Sequence, residues 1–80
     1  MKIIKYAAID IGSNDGTLLE GFKNQGFKVL GVEPTNIAKL ANKKGIKTIQ
    51  KFFDNKTAYY LYNFIYPCSP LLPERTLIIT

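Results

Sequence analysis

Asp10, Gly12, Ser13, Asn14, Asp15 and Gly16 fall within one seven-residue run, and Glu33 follows Gly16 by seventeen residues at the close of a second apolar run. That pairing is the signature of a nucleotide-type cofactor site. An apolar strand (Ile3, Ile4, Tyr6 to Ile9, Ile11) feeds a glycine-punctuated turn, and the turn opens a helix whose unpaired backbone N–H groups face the ligand. The downstream carboxylate accepts from a ribose diol. Gly12 permits a tight exit from the strand, and Gly16 brings the helix start close to ligand and sheet. Asn14 stands where many such loops carry glycine; asparagine is the best non-glycine choice for a left-handed position. Taken singly, Asp10 is a strand-end turn former and Asp15 a helix N-cap. Their joint placement around two glycines favours a ligand loop.

Competing loops fail on spacing. A phosphate-cradling P-loop needs lysine and then serine or threonine after its last glycine, whereas Thr17 and Leu18 follow Gly16. The nicotinamide fingerprint wants glycine at the first, third and sixth places; from Gly12 these are Gly12, Asn14 and Thr17. Ser13 is no nucleophile elbow, because its flanking glycines are misplaced. The chain has no histidine and one cysteine, Cys68, so a disulfide framework, a Cys/His zinc site and a histidine-based triad within it are excluded. No metal ligand set is expected.

The elements that must position the loop alternate. Residues 3 to 10 form a strand that is apolar on both faces, as a buried parallel strand should be. Residues 17 to 25 form a helix, with Leu18, Leu19 and Phe22 at helical spacing and Gly26 as a left-handed stop. Residues 28 to 32 form the second strand. Pro34 and Thr35 start a second helix, with Ile37, Leu40 and Ala41 on one face and Gly45 closing it; residues 46 to 52 form the third strand. Right-handed crossovers make this half of a doubly wound α/β parallel sheet in the Rossmann-like order 3-2-1. Both crossover helices then lie on one face, so either the tail or a second chain must cover the other. The expected division is a cofactor half-domain over residues 1–54 and a divergent tail over residues 55–80. From Asn55 the aromatic run shows neither clean helical nor clean strand periodicity, and Pro67, Pro70 and Pro73 follow. Residues 76–80 again look like a strand, which would lie beside the first.

With 80 residues, 46% of them hydrophobic and 21% charged, the chain is one small globular domain at most. Its longest apolar stretch, residues 58 to 66, is far short of the roughly 20 residues that span a bilayer. No membrane association and a cytoplasmic location are expected. The formal net charge is +5, carried by ten lysines and one arginine, and Lys39, Lys43, Lys44, Lys47 and Lys51 crowd one stretch. Arginine is scarce and no aromatic is interleaved for stacking on bases, so a solvated face is expected and nucleic acid is not.

The stretch from about Ile9 to Phe53, with IDIGSNDGTLLEGF, KVLGVEPTNIAKLANKKGI and TIQKFF, resembles the class I S-adenosylmethionine-dependent methyltransferases. Within them it is most similar to the branch that methylates a ring carbon of nucleotide-linked deoxysugars. By that resemblance Asp10 to Gly16 would hold the methionine end of S-adenosylmethionine, Glu33 the ribose hydroxyls, and the region around Phe52 would flank the adenine. The acceptor would be a small molecule, a nucleotide-linked sugar. Methyl transfer needs mainly in-line alignment, and a carbon nucleophile beside a ketone also needs a base. No convincing base is present; Tyr59, Tyr60 and Glu74 are the remaining candidates, in a segment that does not match the family.

Family members also carry a metal-binding segment ahead of the cofactor domain, and later strands and a substrate domain behind it. These departures favour a truncated or frame-shifted reading frame over a genuine minimal protein, and a chain that does not turn over alone. Two alternatives stand beside a methyltransferase half-domain. One is a non-catalytic half-domain that self-associates through its uncovered sheet face or apolar tail; the other is a dinucleotide-binding remnant.

Overall fold

The computed structural model describes residues 6–65 and 75–79. Four parallel strands, β1 (Tyr6–Ile11), β2 (Lys28–Val32), β3 (Thr48–Ile49) and β4 (Arg75–Ile79), form one sheet in the order β3-β2-β1-β4. The helices α1 (Thr17–Asn24), α2 (Ile37–Lys43) and α3 (Asn55–Ile65) fall between consecutive strands. This is the expected α/β half-sheet with the fourth strand beside the first. Ile9 stands opposite Leu30 on one side and Ile78 on the other.

Alternation along β1 and β2 makes two cores. Ala8 and Val29 face Leu19 of α1, Ala41 of α2 and Ile46, with Phe22 and Phe27 packed around them. Ile9, Leu30 and Val32 face the other way and meet Leu61 of α3, flanked by Ile11 and Ile49. Over β1 and β2 the second face is therefore covered from within the chain, by the tail, while Ile78 of β4, beside Ile9, stays exposed. On α2 the buried residues are Ala38 and Ala41, while Ile37 and Leu40 are exposed, so the apolar face expected from the sequence is turned by about one residue. Small alanines let the helix approach the sheet closely, which larger side chains would prevent.

Three boundaries differ from the sequence expectation, each for a local reason. The second helix starts at Ile37 rather than at Pro34, because Thr35 is held by the Glu33 carboxylate ahead of it. The third strand is only two residues long. Asn42 supplies part of its bonding from the side: its amide nitrogen donates to the Thr48 carbonyl and its amide oxygen accepts from the Thr48 N–H, both at 2.9 Å. The stretch from residue 55 is a regular helix, not irregular. Asp54 caps it, accepting from the Thr57 N–H at 2.8 Å and lying 2.9 Å from the Thr57 hydroxyl, and Thr57 and Leu61, four apart, are buried. The expected start of β1 at residues 3–5, and Cys68, the three spaced prolines, Glu74 and Thr80, lie outside the described residues. No helix among the described residues is long and apolar enough to cross a membrane.

Candidate functional site

The loop from β1 to α1 runs over the carboxyl ends of the strands, where open α/β sheets place their ligands. Its shape is fixed by left-handed backbone at Gly12, Asn14 and Gly16, with φ of 81°, 57° and 83°. Asn14 thus takes the conformation for which the sequence selected it. Gly16 is constrained twice, because a Cβ there would stand 3.1 Å from Ile46 Cγ2 and 3.2 Å from Ala41 Cβ. Even alanine would wedge α1 away from α2.

The loop is tied to β2. The N–H groups of Gly12 and Ser13 both donate to the Val32 carbonyl, at 2.7 and 3.1 Å, and the Asn14 N–H donates to Glu33 Oε1 at 2.9 Å. Glu33, just past β2, is beside the loop as its spacing predicts. Its other oxygen, Oε2, accepts from the Thr35 N–H at 3.0 Å and from the Thr35 hydroxyl at 2.7 Å. These bonds, Thr35 first and then Asn14, hold the Glu33 carboxyl below the usual range. A carboxylate offers about four acceptor positions, so one remains, on Oε1.

The two loop aspartates separate. Asp15 Oδ1 accepts from the Thr17 hydroxyl at 2.8 Å and the Thr17 N–H at 3.1 Å, which lowers its pKa and spends it on starting the helix. Asp10 is buried at the end of β1, with no hydrogen bond to its carboxylate among the described residues, and desolvation raises its pKa. A partly desolvated carboxylate without a protein donor is stabilised by an arriving cation or hydrogen-bond donor. Asp10 is thus the open acceptor of the pair.

Ser13 sits in a notch. Its Oγ lies 2.4 Å from where a Cβ on Gly31 would be, and Thr48 Oγ1 lies 3.1 Å from that point. The Ser13 hydroxyl is buried and has no hydrogen-bond partner among the described residues. It acts here as a packing knob. The amides of Gly12, Ser13, Asn14, Gly16 and Thr17 are bonded within the protein, so among the described residues the backbone donors left for a ligand at the helix start are those of Asp15, Leu18 and Leu19. Phe52 follows the carboxyl end of the edge strand β3, with 77% of its surface exposed. Sequence reasoning missed Thr35 and Gly31. An acidic residue two places before threonine is the signal for the first; for the second, a glycine inside a strand signals close approach.

No established family profile matches the chain. A stretch of 46 residues is 44% identical to the C-methyltransferase NovU of Streptomyces niveus. That stretch covers 56% of this chain and 11% of the relative, so the match spans about a tenth of that protein's length. This supports a methyltransferase relationship for the matched segment.

Proposed function

We propose that this chain forms the first half of an S-adenosylmethionine-binding domain of a methyltransferase, related to those that methylate a carbon of nucleotide-linked sugars. The observation that carries the reading is the pair of acidic positions at the carboxyl ends of the two central strands: Asp10 without a donor, and Glu33 bonded to the loop at Asn14 with one acceptor position left. The residues fit the cofactor. Asp10 accepts from the ammonium of the methionine end, Glu33 Oε1 accepts from one ribose hydroxyl, and exposed Phe52 supplies an apolar wall for the adenine. A second bond from ribose to Glu33 requires displacing Thr35 from Oε2. When bound, the cofactor supplies an electrophilic methyl group. Asp10 and Glu33 orient it, and orientation is the main demand of in-line transfer. A cytoplasmic location belongs to the same reading, since the cofactor is an intracellular metabolite.

Calorimetric titration with S-adenosylhomocysteine tests the reading. Binding should weaken about tenfold or more in Asp10→Asn, because a charge-assisted bond contributes roughly 1.5 to 3 kcal/mol. Glu33→Gln keeps the carbonyl that receives the Asn14 N–H and should weaken binding less than Glu33→Ala, which also frees the loop. Absence of binding to the wild-type chain, or unchanged affinity in folded Asp10→Asn and Glu33→Ala, would reject the assignment.

A further inference from the structure

A cavity of about 300 Å³ opens between the end of β3 and the first turns of α3, lined by Ile49, Lys51, Asp54, Lys56, Thr57 and Tyr60. It belongs to the α3 face, since Ile49 packs with Ile9, Leu30 and Leu61. Its volume is at the lower end for small-molecule sites. Ile49 and the half-exposed Tyr60 give it apolar walls. The Lys51 ammonium has no hydrogen bond or ion pair among the described residues. Lys56 acts on Asp54 only through its charge and its backbone amide. Asp54 also faces the cavity, but its Oδ1 is engaged by Thr57, and the Thr57 hydroxyl lies 2.9 Å from the Phe52 carbonyl. Two cations against one engaged carboxylate leave the opening net positive.

We infer that this cavity is a second binding site, for a small aromatic anion whose ring lies against Ile49 and Tyr60 and whose anionic group sits between Lys51 and Lys56. A ring beside Tyr60 gains offset or edge contact and removes apolar surface from water. An anion between the lysines makes charge-assisted bonds that neither ammonium otherwise has. The site goes beyond the cofactor reading and stands without it, yet the two are neighbours: the Glu33 N–H donates to the Ile49 carbonyl at 2.9 Å, so both meet at the same strand end.

Phenyl phosphate, uridine monophosphate and inorganic phosphate, each titrated to roughly 10 mM against the full chain by calorimetry and by amide chemical shifts, test this. Phenyl phosphate should bind at least about tenfold more tightly than phosphate, with shifts at Ile49, Lys51 and Thr57. The exposed pair Lys51→Gln/Lys56→Gln should keep its circular dichroism and lose about tenfold in affinity. Tyr60→Leu should lose affinity for the aromatic ligands while leaving that for phosphate unchanged. Tighter binding of uridine monophosphate than of phenyl phosphate would identify a nucleotide as the ligand; the reverse would identify a simpler aryl ester; either supports the site. Saturation with S-adenosylhomocysteine should leave phenyl phosphate binding in place. Wild-type affinity in the lysine variant, equal binding of phosphate and phenyl phosphate, or displacement by S-adenosylhomocysteine would overturn the inference. Failure of S-adenosylhomocysteine to bind would count against the cofactor reading alone.

Discussion

On one face of the sheet Leu19, Ala41 and Ile46 close over Ala8 with almost no exposed surface, and two helices share the cover. On the other, Ile9, Leu30 and Val32 are just as deeply buried; among the described residues the helix side chain packed with them is Leu61, and Tyr59 and Tyr60 beside it stay open. The first face carries Gly16 against Ile46 and Ala41, and so sets where the loop lies. The second is a lid on the core, with a cavity at its edge. Position of the candidate cofactor site therefore depends on α1 and α2, while solubility of the sheet depends on α3.

The largest way to break this comparison is to remove residues 58–80. That deletion uncovers Ile9, Leu30 and Val32 and takes away β4, so self-association or aggregation is expected in sedimentation velocity. A deletion that stays monomeric and folded would show that α3 is not the cover. Next come paired truncations. Leu19→Ala should cost about 3 to 5 kcal/mol in urea unfolding, near the upper end for buried leucine, and Leu61→Ala about 2 to 3, because its surroundings can collapse more easily. Equal losses would mean the two faces are equally packed.

Gly16→Ala should cost roughly 1 to 3 kcal/mol, from the left-handed backbone and the contacts with Ile46 and Ala41, and should weaken S-adenosylhomocysteine binding beyond that loss. Affinity equal to wild type in folded protein would separate loop position from this packing. Acid should reveal the two carboxylates with opposite sign. Glu33 has a lowered pKa, so its contribution is complete above its ordinary 4.5 and disappears as pH falls through the folded value. Asp10 has a raised pKa, so its penalty is complete above the folded value and is relieved as pH falls toward its ordinary 3.8. In urea midpoints measured from about pH 7 to about pH 3, Glu33→Gln should reduce the acid loss and Asp10→Asn should steepen it. The smallest effect is Ser13→Ala, which removes an unpartnered buried hydroxyl and should leave stability unchanged or raise it by up to about 1 kcal/mol. A clear loss would mean the hydroxyl has a bonding role that its geometry does not show.

The order of elements, the place of the fourth strand and the neighbourhood of loop and Glu33 were legible because each is a short-range signal. Glycine and asparagine marked the left-handed positions, and parallel crossovers fixed which strand tip stands beside which. Residues 55–65 were illegible as a helix because Tyr59, Tyr60 and Phe64 blur the apolar period. The informative positions were the Asp54 cap and the pair Thr57 and Leu61. The two-residue β3 was hidden for another reason: Asn42 replaces strand pairing with side-chain bonds, and no pattern of apolar residues records that. Within the site, spacing found the acidic positions but not their duties, since only the bonds to Thr17 and Thr35 show which carboxylates are already engaged.

The internal bonding of the loop amides has a kinetic meaning. A loop already stitched to Val32 and Glu33 has little to reorganise when a ligand arrives, so the binding-competent form is the resident form and affinity is not diluted by a minor population. Association with S-adenosylhomocysteine should then follow a single phase whose rate rises linearly with concentration, without the plateau that a prior opening step imposes.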